Sequence, residues 1–134
     1  MILIKLTLLV LFLVTPLTAK YHKHIHKERY YQHKINKELN GVEEYRIKGV
    51  RVDILTKKYA IECDFATGSK SYESIGQSLY YSIITKKKPG VVLISENPKL
   101  DLKYILRTKT ICREYNIYLW IYRDNKLINI YSPK

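Results

Sequence analysis

The sequence predicts an α/β domain, a mixed central sheet flanked by helices in the order α-β-β-β-α-β-α-β-β. Three observations carry this. The β-rich runs 51–56 (RVDILT) and 59–65 (YAIECDF) are separated only by Lys57 and Lys58, as in a tight hairpin. Two further runs, 91–95 (VVLIS) and 117–122 (IYLWIY), are apolar throughout, which suits strands buried on both faces. Longer segments with helix-forming composition, 70–86 and 100–115, follow two of these strands.

Taken in order, residues 1–19 (MILIKLTLLVLFLVTPLTA) have one lysine, no acid, an apolar run and a small-residue exit. That is the pattern of a secretory signal peptide, and the run is short of the roughly 18 to 20 apolar residues that span a bilayer. An uncleaved anchor is the alternative, so the expected location is secreted or periplasmic, or else membrane-anchored. Residues 20–40 read as a basic, solvated helical arm that Gly41 ends. His22, His24 and His26 alternate there, with His33 further on, but no acid or cysteine at ligand spacing supports a metal site. The domain proper is expected over 41–134. Within it, 42–48 alternates weakly and Gly49 marks a turn. Thr67-Gly68-Ser69 breaks the strand and offers a helix cap. The first long helix ends in Lys86-Lys87-Lys88 and Pro89-Gly90, and Asn97-Pro98 makes the next turn. Residues 127–131 add an edge strand.

With 134 residues there is room for one domain, and 46% apolar residues exclude disorder throughout. Cys63 and Cys112 are too few for a disulfide scaffold or a four-cysteine zinc site. They suit buried apolar positions, with pairing as the alternative if the chain is exported. The formal net charge is +12, and removing residues 1–19 takes away a single lysine. A basic domain with 13 tyrosines suggests a polyanionic partner, since Lys and Arg neutralise phosphates and aromatic rings stack on bases. An anionic membrane surface satisfies the charge equally.

The candidate chemistry lies in three acids of the strand block, Asp53, Glu62 and Asp64. Residues two apart in a strand share a face, so Glu62 and Asp64 point together, and hairpin pairing brings Asp53 beside them. Clustered carboxylates repel unless a cation sits between them, and their oxygens suit a hard ion such as Mg²⁺ or Mn²⁺. On the following helix, 3.6 residues per turn puts Lys70, Gln77 and Tyr81 on one stripe, with Glu73 and Ser74 close to it. Tyr72, Ile75, Leu79 and Ile83 fall on the opposite, apolar face.

These residues resemble a family. R-V-D-I-L-T from Arg51, A-I-E-C-D-F-A from Ala60 and K-S-Y-E-S-I-G-Q-S-L-Y-Y from Lys70 are similar to the PD-(D/E)xK nuclease superfamily. The nearer likeness is its branch with a Gln-x-x-x-Tyr helix, here Gln77 to Tyr81. The resemblance covers roughly residues 41–94 and implies a restriction-endonuclease-like core. It makes Asp53 and Glu62 metal ligands, completed by Glu44 or Glu43. The family's lysine two residues after the glutamate is replaced here by Asp64. Lys70 is the substitute ammonium that this reading suggests, with Asp64 as an extra ligand or as its partner.

The implied activity is metal-dependent hydrolysis of phosphodiester bonds in nucleic acid, DNA before RNA, with low sequence specificity. Lys70 would orient water or stabilise growing charge, and Gln77 and Tyr81 would position the backbone. Lys86, Lys87, Lys88 and Arg51 would hold phosphates away from the chemistry. The alternative is a protein of the same fold that binds nucleic acid without cutting it. Oligomeric state is left open.

Overall fold

The computed structural model describes residues 23–134; residues 1–19, read as signal or anchor, and His22 lie outside the described residues. Nine elements follow in the expected order. They are α1 (Glu28–Leu39), β1 (Val42–Ile47), β2 (Val50–Leu55), β3 (Tyr59–Phe65), α2 (Lys70–Thr85), β4 (Lys88–Ile94), α3 (Pro98–Tyr115), β5 (Tyr118–Arg123) and β6 (Lys126–Tyr131). All six strands join one mixed sheet in sequence order, β1-β2-β3-β4-β5-β6. The β3–β4 and β4–β5 pairs are parallel and the others antiparallel.

Local chemistry explains the connections. The β1–β2 and β5–β6 hairpins turn through two residues each, Lys48-Gly49 and Asp124-Asn125, all with positive φ. Such turns match the twist of paired strands, and Gly, Asn and Asp tolerate them. The parallel pairs need crossovers, which α2 and α3 supply. Right-handed crossovers between successive strands put both helices on one face of the sheet. There Ile75, Ile105 and Cys112 pack on Val91, Leu93, Leu119 and Ile121. Asn97 caps α3 by accepting from the Leu100 amide at 3.3 Å, with Pro98 at the first helical position.

The opposite face is closed by α1, whose Ile35 sits among Ile54, Ile61, Val92, Ile94 and Trp120. Residues 20–40 were expected to be a solvated arm. The helix instead begins at Glu28 and is built into the core, because its few apolar residues cover a sheet face that no other helix among the described residues covers. His24 and His26 precede α1, which begins at Glu28, so His26 is not on a helix; His22, with which it could have shared a helix face, lies outside the described residues. His24 stacks on Phe65, with ring centroids 3.4 Å apart. The central strand behaves as its composition implies: Val92 and Ile94 serve the α1 face, Val91 and Leu93 the other. It starts earlier than expected, at Lys88, and takes in Pro89 and Gly90. Glycine is required there, since a Cβ on Gly90 would stand 2.9 Å from the Trp120 ring and 3.1 Å from Ile61.

The phase of α2 also departs from expectation. Tyr72 and Ile83, assigned to the packed face, are 44% and 73% exposed. The buried face is Ser71, Ser74, Ile75, Ser78 and Tyr81. The serine hydroxyls are consumed by carbonyls of their own helix or its approach: Ser71 to Gly68, Ser74 to Lys70 and Ser78 to Ile75. Small side chains so satisfied let α2 lie close on β3, which hydropathy alone does not register. Cys63 and Cys112 are both free and buried, on opposite faces of the sheet, so they do not pair.

Candidate functional site

The register that pairs Ile54 with Ile61 puts Asp53 across from Glu62. The β2–β3 ladder covers only that row and Leu55–Ala60. At the next row the Asp53 carboxylate itself accepts the Cys63 amide at 2.9 Å, standing in for a strand carbonyl. The β1–β2 ladder likewise skips the row of Glu44 and Asp53, where Glu44 adopts a left-handed φ of 56°. This local break is where the acids gather. Asp53, Glu62 and Asp64 are each only 6% exposed.

The carboxyls form two linked pairs. Asp53 shares a hydrogen bond with Glu62, and Asp64 shares one with Glu28 from the first turn of α1. Burial, then the neighbouring charge of Asp53, pushes Glu62 up to about 10. Burial raises Asp53 to about 6 against the opposing bonds from Cys63 and Glu62. Glu28 rises to about 7 through burial and the charges of Asp64 and Asp53. Burial also raises Asp64, while the Lys70 ammonium pulls the other way. Crowded acids in low dielectric cannot all ionise, so the cluster holds protons at neutral pH.

Lys70 is exposed at the start of α2, yet its charge acts on both Asp64 and Glu28. Tyr81 is buried beside Glu62; burial, then the charges of Glu62 and Asp53, raise its pKa. Gln77, one turn earlier, is exposed. The expected stripe is therefore split, with Tyr81 inside the cluster and Lys70 at its rim. Glu44, expected as a ligand, is engaged elsewhere: it accepts from Gln32 Nε2 at 3.1 Å and pairs with Arg51 Nε at 2.7 Å. Its charge still reaches Asp53. Glu43, the alternative, pairs with His33 at 3.0 Å. Arg51 is thus paired with Glu44 while its side chain stays about half exposed. The position beside Asp64 belongs to Glu28, which sequence reasoning absorbed into the basic arm. A lone acid four residues before Gln32 was its only signal, and Gln32 lies on the same helix face, donating to the Asp53 carbonyl at 3.2 Å.

Lys86, Lys87 and Lys88 lie at the far end of α2 from Lys70, roughly 24 Å along a helix of 16 residues. Lys87 Nζ donates to the Lys57 carbonyl at 2.8 Å, and Lys88 Nζ lies 5.7 Å from the centre of the Tyr118 ring. They mark the end of the sheet remote from the acids.

As they stand, no trio of His, Cys, Asp or Glu among the described residues is arranged to hold an ion. The donor set nevertheless fits a hard divalent cation. It consists of carboxylate oxygens only, and Glu62 Oε2 is buried with no hydrogen-bond partner. A cation that displaced the shared protons would relieve both the crowding and that orphaned oxygen.

The fold and site define an α/β protein with a buried carboxylate cluster at a break in a mixed sheet. No family model matches the chain, and no solved structure matches it. Over 96 residues, 72% of this chain, it is 36% identical to a protein of Acanthamoeba polyphaga mimivirus whose name describes it as KilA-N domain-containing. The match covers 26% of that protein, so the chain spans about a quarter of the length of this curated relative.

Proposed function

We propose that this protein is a nuclease of the PD-(D/E)xK type, with a restriction-endonuclease-like core, that hydrolyses phosphodiester bonds of DNA with the help of Mg²⁺ or Mn²⁺. The observation that carries the proposal is the set of Asp53, Glu62, Asp64 and Glu28 around the unpartnered Glu62 Oε2, with Lys70 at its rim. The sequential antiparallel strands β1–β3, crossover helix α2 and parallel strand β4 support the fold assignment. The net charge of +12 supports a nucleic-acid partner.

Asp53, Glu62 and Asp64 would hold the cation, with Glu28 completing the set. Bound there, it would polarise a phosphoryl oxygen and lower the pKa of a water. Tyr81 lies beside the Glu62 carboxyl, and the Asp53 carboxyl is oriented by the Cys63 amide. Lys70 supplies a positive charge at the open side, where negative charge grows on the phosphate in the transition state. Residues 1–19 would direct export and be removed; fractionation of tagged protein that finds only unprocessed, membrane-bound chain would sink that part.

A second reading has its own support. Asp64 stands where the family carries lysine, so a protein that binds DNA without cutting it is the alternative. Purified protein incubated with single- and double-stranded DNA separates the two. Cleavage that needs Mg²⁺ or Mn²⁺, stops with chelator and is lost in Glu62→Gln supports the nuclease. Binding without cleavage under every metal condition rejects it for the alternative.

A further inference from the structure

Behind α1 lies a second concavity, of about 240 Å³, outside the carboxyl ends of β4 and β5. Its walls include Tyr30, Tyr31, Tyr122, Lys34, Arg123 and Asn125. We propose that it is a subsite for one unpaired nucleobase of the bound strand, a neighbour of the nucleotide whose phosphate meets the carboxylates. This rests on the nucleic-acid reading above and adds to it a preference for unpaired strand.

The rings are set for stacking. Tyr30 and Tyr31 stand edge to face, 5.3 Å apart at 82°, so a flat ring laid on one meets the edge of the other. Tyr30 is 42% exposed; the His26 ring lies against it with centroids 3.9 Å apart at 31°, and the Lys34 ammonium is 4.9 Å from its centre, so an incoming base takes the exposed part of the ring or displaces one of these two. Stacking on exposed aromatics beside cations is the usual device for holding single strands, because every base has a π-face. A paired base keeps its faces inside the duplex and has none to offer.

Polar groups converge on the rim. Arg123 uses Nε and Nη2 on Ser95 Oγ, at 3.2 and 2.8 Å, which fixes the guanidinium and leaves Nη1 available. Lys34 Nζ bonds Asn125 Oδ1 at 3.0 Å, leaving the amide N–H groups to donate. The Glu96 carboxylate, also in the wall, is already saturated by Tyr31 Oη, His24 Nδ1 and the amides of Ile25 and His26. It pins the wall in shape rather than meeting a ligand.

The same helix joins this concavity to the acids. Glu28 and Gln32 face the carboxylate cluster, while Tyr30 and Lys34 lie on the far side of the same turns, about one helix diameter (~10 Å) away. Phe65, next to Asp64, stacks on His24 and meets the Tyr31 ring edge at 5.9 Å. A strand crossing the first turn of α1 would reach both.

The test is fluorescence anisotropy with labelled DNA in Ca²⁺, which limits cleavage, on wild type and Tyr30→Ala. Tyr30 is outside the core, and an unchanged melting temperature checks the variant. Wild type should bind a single strand more tightly than a blunt duplex. A series of strands, each with one abasic position, should show one position where losing the base weakens binding about 10-fold. Tyr30→Ala should lose that position-specific sensitivity. An abasic series that is flat in wild type, or unchanged in Tyr30→Ala, overturns the subsite while the nuclease reading stands. A nucleoside monophosphate that competes as tightly as the whole strand would also overturn it, in favour of a free-nucleotide site. Failure of wild type to bind any strand would instead overturn the nucleic-acid reading itself.

Discussion

Chelation should make the stability of this protein fall as pH rises, and a divalent cation should restore it. Asp53 is the clearest case. Its carboxyl is about 6 in the folded protein against an ordinary 3.8, because burial disfavours its charge. A folded-state value above the unfolded one means that the folded state holds the proton longer. The associated stability is fully present below about pH 4 and is lost as pH climbs through about 6. A difference of about two pH units corresponds to on the order of 3 kcal/mol. For a domain of this size that is roughly 10 °C in Tm. Glu28, raised to about 7, extends the decline toward neutrality, and Glu62, higher still, adds to it above. The carboxyls are coupled, so their effects do not simply add. Thermal melts followed by circular dichroism between about pH 4 and 8, in chelator and in Mg²⁺, measure this. The Tm should drop with pH in chelator, and the gain from Mg²⁺ should widen as protons leave. A Tm flat across this range in chelator, or a Mg²⁺ effect no larger at pH 8 than at pH 5, would refute the reasoning.

Three other outcomes follow from particular contacts. Lys70→Ala should lower cleavage at least ~100-fold yet leave the Mg²⁺-induced rise in Tm intact, with Lys70→Arg recovering part of the rate; unimpaired cleavage by the alanine variant rejects the role given to this ammonium. Asp101 is buried and accepts from Thr67 Oγ1 at 2.8 Å, Ser95 Oγ at 2.9 Å and the Asn97 amide at 3.1 Å. Asp101→Ala orphans these donors, and urea unfolding should show a loss of roughly 3 kcal/mol. Gly90→Ala forces a methyl against the Trp120 ring, and the same measurement should show a loss of about 1–3 kcal/mol, with Trp120 fluorescence altered.

The sequence by itself determined the element order and most boundaries. Those signals are local: two-residue turns at Lys48-Gly49 and Asp124-Asn125, the Asn97-Pro98 cap, and apolar runs that strands bury on both faces. It also determined that Asp53 and Glu62 would meet, because hairpin register is a matter of counting across a short connection. Tertiary structure alone decided which further acid joins them. Glu28 lies 25 residues before Asp53 in a segment whose charge suggested solvent, and only the docking of α1 on the far face carries it to Asp64. Docking equally decided the orientation of α2, whose buried serines satisfy their hydroxyls on the backbone and so pack where hydropathy expected Tyr72 and Ile83. Periodicity reports how a segment alternates; which side of it faces the sheet depends on shapes supplied by strands far away in the chain.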